Sequence, residues 1–166
     1  MKSPLITLEG KQSLEEELHY LWRTKRPQVT QAVSEAAALG DRSENAEYKE
    51  AKRELRSIDR RVRYLRKRLD AIKVVEYSPE QEGKVFFGAW IELESDTGKV
   101  YYFRIVGTDE IDVKKGYITI DSPMARALIG KQVDDEVIVK APSGDKYWLI
   151  NKIQYQPFSI EKQYEK

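Results

Sequence analysis

The chain has 166 residues, with one His, no Cys, 34% charged residues, 40% hydrophobic residues and a formal net charge of +1. Lack of cysteine excludes disulfides, thiolate metal sites and cysteine nucleophiles, and the near-zero net charge names no partner by itself. No stretch approaches the ~18 apolar residues of a membrane span and MKSPLITLEGKQS has no signal-peptide apolar core, so a soluble, cytoplasmic protein without a membrane partner is expected.

From about Thr7 to Val75 the chain reads as helix. Apolar residues first recur loosely, at Leu14, Leu18, Leu21, Val29, Val33 (or Ala32), Ala36 and Leu39, with Pro27 expected to kink the segment. Gly40 supplies a left-handed stop. A second helix is expected to start within 41–43. Its apolar residues, Ala51, Leu55, Ile58, Val62, Leu65, Leu69 and Ile72, step by four and three, a coiled-coil seam. So short a connection makes the two helices antiparallel. At 1.5 Å per residue the arm is roughly 45–50 Å long.

Beyond 77–82 the period changes. KVFFGAWIELES and KVYYFRIVG read as strands around the Asp96-Thr97-Gly98 turn. GYITID is a further strand. SPMARALIG is a short helix with Ser122 as N-cap, Pro123 in the first turn and Gly130 as stop. DEVIVKAPSGDKYWLINKIQY is a hairpin turning at 142–145. The fold class is therefore α+β: a helical hairpin over 1–76, a small antiparallel sheet domain with one helix over 77–158, and a tail over 159–166.

Residues 49–68 hold ten Lys and Arg against Glu50, Glu54 and Asp59. Lys49, Arg53, Arg56, Arg60, Arg63 and Lys67 repeat in the seam's rhythm two residues out of phase, which places them almost opposite it; Lys52 lies alongside. A solvated helix face explains some of this, but such faces usually mix signs and gain from i,i+4 pairs. A one-sign rail suits a nucleic-acid phosphate backbone. No aromatic residues interleave with it, so base stacking is not expected.

The stretch LGDRSENAEY closes the hairpin. Asp41 as N-cap with Glu44 three residues on would be a capping box, and helix dipoles favour acids at N-termini. The functional reading is a half-site for Mg²⁺, a hard ion often held by one or two carboxylates with waters and phosphate oxygens. Arg42 and Ser43, between the acids, would orient them or a water; helix capping explains Ser43 equally well. Glu47 lies a turn further back. His19, the only histidine, is expected to pack or face solvent, and the three Trp to pack.

LGDRSENAEY closely resembles the tip motif of the bacterial Gre transcript cleavage factors. ITLEG, IDRRVRYL, EGKVFFGAW and DSPMARALIGK resemble the same family, so the resemblance covers nearly the whole chain. It implies a C-terminal domain with an FK506-binding-protein-like fold. That domain docks on RNA polymerase at the mouth of the secondary channel, through the segment of Asp121, Ser122 and Pro123, while the coiled coil enters the channel. Asp41 and Glu44 would help hold the second Mg²⁺ of the polymerase active site, with Ser43 beside them. Backtracked RNA is then cut and elongation restarts. The basic patch, here Lys49, Lys52, Arg53, Arg56, Arg60, Arg63 and Lys67, contacts the nascent RNA 3′ end. The factor itself is no nuclease, binds no metal stably alone and is expected to be a monomer.

Three other classes compete: a channel-blocking regulator without cleavage, which would lack the tip acids; a prolyl isomerase or chaperone, on fold alone; and a free nucleic-acid-binding coiled coil using only the rail.

Overall fold

A computed structural model describes residues 2–40 and 44–158. It divides into two compact units: Lys11–Ile72, and the chain up to Gly10 together with the chain from Lys73 onward. The division expected at residue 76 thus differs in both places, because a short parallel strand pair draws the chain's start into the second unit. Leu5–Ile6 (β1) pairs with Lys73–Val74 (β2), a segment that the helical pattern had claimed.

The helical unit is a hairpin. Its first arm runs through Leu8–Tyr20 (α1), a π-helical turn Leu21–Lys25, and Arg26–Ala37 (α2); its second is Ala46–Ala71 (α3). The expected interruption at Pro27 takes a specific form. Pro27 has no N–H to give, and its ring clashes with a carbonyl in the preceding turn. The chain answers by widening that turn, so that Arg26 N–H reaches the carbonyl of Leu21, five residues back. Val29, Ile58 and Val62 are buried together, with Leu18, Leu21 and Leu55 packed around them. Leu65 is fully buried on the same seam. The 26 residues of α3 span roughly 39 Å at 1.5 Å per residue.

The second unit holds a five-stranded sheet ordered β5-β4-β3-β7-β6, from Trp90–Ser95 (β3), Val100–Val106 (β4), Tyr117–Thr119 (β5), Glu136–Val139 (β6) and Lys146–Gln154 (β7). The helix Pro123–Leu128 (α4) supplies buried Ala125 and Leu128. Inward residues of β3 and β7, among them Ile91, Leu93, Trp148 and Ile150, form the core with Val85, Phe87, Ile105 and Val137. The sheet is not wholly antiparallel as expected: β5 lies parallel to β4. The chain folds back through 107–116 to achieve this, and two glycines make it possible. A Cβ on Gly107 would stand 2.4 Å from the Leu5 carbonyl oxygen, and one on Gly116, at φ +75°, 2.3 Å from that of Tyr102.

The N-terminal segment is tied down by two carboxylates. Glu110 accepts from the Thr7 N–H at 3.1 Å and the Gly107 N–H at 2.8 Å, and also from the Thr7 hydroxyl. Asp121 accepts from the Ser3 N–H at 3.0 Å and the Thr108 hydroxyl at 3.2 Å. The Ser3 bond, more than the Thr108 bond or the nearby Arg126 charge, holds the Asp121 carboxyl below the usual Asp range. A carboxylate with a lowered folded-state pKa contributes stability above its unfolded pKa, about 3.9, and loses that contribution as pH falls through the folded value. Asp121→Asn should therefore lower stability at neutral pH and show a smaller further loss than the parent between about pH 4 and pH 2; urea unfolding across that range is the measurement.

Candidate functional site

The hairpin carries the candidate site. Asn45, in extended conformation, is the N-cap of α3, its side chain accepting from the Tyr48 N–H at 3.0 Å. The helix therefore begins at Ala46, not within 41–43, and the capping-box reading of Asp41 and Glu44 fails for a geometric reason. Glu44 stands before the N-cap, outside the helix. It is Glu47 that sits in the first turn, where the dipole favours an acid. Glu44 is exposed and makes no hydrogen bond or ion pair among the described residues. Asp41, Arg42 and Ser43 lie outside the described residues.

The basic rail is exposed along its length: Lys49, Arg53, Arg56, Arg60, Arg63 and Lys67 face solvent, while Lys52 is half-buried. Three of the five acids of the same helix are paired. Glu54 pairs with Lys25 at 3.2 Å and Asp59 with Arg26 at 2.8 Å, both across the hairpin. Arg26, first by its hydrogen bond and then by its charge, with Arg63 adding to it, holds Asp59 below the usual range. Glu50 pairs with Arg53 one turn on at 3.0 Å. Lys49, Arg56, Arg60 and Lys67 form no hydrogen bond or ion pair among the described residues. What faces water is thus mainly basic, with Glu47, Glu50, Glu54 and Asp70 also exposed.

Aromatic rings lie nearer the cations than expected. The Lys52 Nζ stands 5.8 Å from the Tyr48 ring centre, and the Arg61 Cζ 5.1 Å from that of Tyr64. Half-exposed Trp22, on the π turn, lies 4.5 Å beneath Arg66 and 5.2 Å beneath Arg26. Sequence reasoning missed the Trp22 contacts because Trp22, Arg26 and Arg66 sit on different helical segments; the Tyr48 and Tyr64 contacts lie within α3, three or four residues apart. It also missed Asn45, although Asn ranks among the best N-caps. His19 is exposed, while Trp148 is buried.

In the second unit, Asp121 is occupied by the ties to Ser3 and Thr108. The Ser122 hydroxyl caps α4, accepting from the Ala125 N–H at 3.1 Å. Of the three docking candidates Pro123 is exposed, while Asp121 and Ser122 are half-buried.

As to metal, among the described residues no three His, Asp or Glu side chains are grouped to hold an ion. Of the two acids expected to serve Mg²⁺, a hard ion that takes oxygen ligands, Asp41 lies outside the described residues and Glu44 has no partner among them; two carboxylates would make only part of a shell. Among the described residues no helix is long and apolar enough to cross a membrane.

Comparison with known proteins covers both halves of the chain. Residues 4–74 match the family described as transcription elongation factor, N-terminal, and residues 80–155 the one described as transcription elongation factor, GreA/GreB, C-terminal. Transcription elongation factor GreB of Yersinia pestis is 60% identical over 161 residues, covering 97% of this chain and 94% of its own. The GreB protein of Vibrio vulnificus is 62% identical over 156 residues, 93% of this chain and 98% of its own. Among solved structures, the GreA factor homolog Gfh1 of Thermus thermophilus is 25% identical, covering 90% of this chain and 97% of its own with a TM-score of 0.41. Matched in both halves, and 60% identical to such relatives along nearly its whole length, the chain belongs to the GreA/GreB family of transcription elongation factors.

Proposed function

We propose that the chain acts on bacterial RNA polymerase as an elongation factor that stimulates the polymerase's own Mg²⁺-dependent cleavage of backtracked RNA. The observation that carries this reading is Glu44: an exposed acid placed just outside a helix whose capping is already done by another residue. An acid with no structural employment at a hairpin tip is available to a ligand. The second support is the solvent face of α3, whose free cations lead back from that tip.

In this reading the hairpin enters the secondary channel, and Asp41 and Glu44 donate carboxylate oxygens to an ion whose other ligands belong to the polymerase. Mg²⁺, when bound, supplies water activation and stabilisation of the leaving oxygen. Ser43 lies between the two acids and orients them or a water. The rail, Lys49 to Lys67 with Lys52 beside it, neutralises phosphates of the extruded RNA 3′ segment. The second unit anchors the factor through the segment 121–123. The chain is no nuclease by itself, since its carboxylates are too few to complete a metal shell.

Asp41→Ala and Glu44→Ala should each reduce stimulated cleavage by tenfold or more, each tenfold corresponding to ~1.4 kcal/mol at the transition state, while competition binding to polymerase stays within about twofold. Sizing RNA released from a stalled, backtracked complex is the assay. Binding without any loss of cleavage would remove the tip acids from the reaction, whereas a parent chain that binds polymerase and stimulates no cleavage would make the channel-blocking regulator the better reading.

Pro123 offers a cleaner probe of docking than Ser122, because replacing Ser122 also removes the α4 cap at a cost of ~1 kcal/mol. Pro123→Ala should weaken polymerase binding with the thermal midpoint little changed. Unaltered affinity would move the anchor elsewhere.

Arg56, Arg60 and Arg63 replaced together by Ala should slow cleavage of deeply backtracked complexes more than of those backtracked by one or two nucleotides. Each lost phosphate contact should also flatten the salt dependence of the deep class by about 0.7 in slope. Equal losses in both classes would remove the RNA-guiding role from the rail.

A further inference from the structure

Arg104 is a buried cation without an acid. It lies on β4 and is only 8% exposed. In the strand register it stands opposite Trp90 of β3 and Tyr117 of β5. Its Cζ lies 3.6 Å over the Trp90 ring centre and 5.5 Å from that of Tyr117. Such stacking covers a face of the guanidinium, whereas its five N–H donors point outward in its plane. One donor is used: Nε–H donates to the Gly88 carbonyl at 3.1 Å. The Nη atoms have no hydrogen bond, and the guanidinium has no ion pair, among the described residues. Buried charges are ordinarily paired, because taking them out of water is costly. The Nη donors are not sealed in either. Among the described residues the one inaccessible side-chain N or O atom without a partner is Nε1 of Trp148.

Arg104 lines a cleft of about 260 Å³ that lies wholly within the second unit. Tyr77, Phe87, Trp90 and Tyr155 give it aromatic walls. The volume falls below the ~300–1,000 Å³ of ordinary small-molecule sites and suits a single side chain. Glu9 and Glu76 also line the cleft, and both are exposed. Two carboxylates at the opening oppose a polyanion such as RNA far more than a single negative charge. What the cleft admits is thus one carboxylate, whose two oxygens match the paired Nη edge of a guanidinium.

We propose that this cleft receives an acidic side chain of RNA polymerase, paired through its carboxylate with Arg104, as an anchor additional to the segment 121–123. The proposal rests on the docking reading under Proposed function. The N-terminal segment links the two places, since Ser3 is bonded to Asp121 and Thr7 lines the cleft. An ion pair formed between aromatic walls is shielded from water and holds more tightly than one on an open surface.

The test is competition binding of the full chain to polymerase free of nucleic acid. Arg104→Gln should weaken binding by about tenfold or more. Arg104→Lys, which keeps the charge without the fork, should fall between that variant and the parent. Because Arg104→Gln also gives up the Gly88 bond, thermal midpoints are read alongside, and the opening of the cleft supplies an independent measurement. Glu9 and Glu76 make no hydrogen bond or ion pair among the described residues. Glu9→Gln combined with Glu76→Gln should tighten binding about threefold at low salt, by removing repulsion of the incoming carboxylate. Asp96→Asn, at the exposed turn between β3 and β4, should leave affinity unchanged. A merely structural Arg104 would not produce that gain. Parental affinity in Arg104→Gln overturns the proposal, as does a failure of the paired glutamine variant to tighten binding, or equal tightening by Asp96→Asn. A loss in Arg104→Gln seen only with polymerase that carries RNA overturns it as well, in favour of a nucleic-acid contact. Pro123→Ala in the same assay separates the two levels. If it weakens binding while Arg104→Gln does not, the cleft alone loses its role; if the parent shows no affinity for polymerase, the docking reading falls and the proposal with it.

Discussion

The apolar seam of α3 is the constraint from which the candidate site follows. Once Ala51, Ile58, Val62 and Leu65, with Arg68, are the buried positions of the helix, the other positions fall on a flank or on the open face. The acids Glu54 and Asp59 fall on the flanks, where Lys25 and Arg26 meet them. Surface pairs of this kind contribute little stability, about 0–1 kcal/mol. Their larger effect is to withdraw negative charge from the open face. The cations there repel one another, and the extended polyanion proposed as their partner would relieve such repulsion.

Helix capping performs a comparable sorting at the tip. A helix N-terminus needs an acceptor for its unpaired N–H groups, and any nearby acid is a candidate to provide it. Because Asn45 takes that position and Glu47 takes the dipole-favoured first turn, Glu44 is left without either task. The π turn before Pro27 acts in the same spirit on the other arm. It lets the chain pass a residue that lacks an N–H without ending the helix, and the same turn carries Trp22 to the surface beneath Arg66 and Arg26.

In the second unit the proposed docking segment is held from behind. Asp121 is bonded to Ser3 and Thr108, and Ser122 is spent on its own helix, so the exposed Pro123 stands on a supported turn. Tyr155 braces the approach to the core in the same way. Its hydroxyl donates to the Lys84 carbonyl at 2.6 Å and accepts from the Phe86 N–H at 3.0 Å, and burial raises its pKa, which keeps the donor protonated.

By itself the sequence determined the periodic features: the hairpin, the 3.5-residue seam, the rail opposite it, the Ser122 cap and the Gly98 and Gly144 turns. Each depends on residues a few positions apart, whose relation is set by helix or strand geometry. The motif LGDRSENAEY was legible as well, and with it the family. Only the tertiary structure decided which polar groups are already spoken for. Whether Glu44 caps a helix depends on where α3 starts, and that is set by the Asn45 side chain accepting from the Tyr48 N–H, while the same amide also meets a carbonyl on the other arm. The parallel pairings of β1 with β2 and of β5 with β4 likewise join segments by backbone hydrogen bonds, and a backbone group carries no side-chain signature of its distant partner.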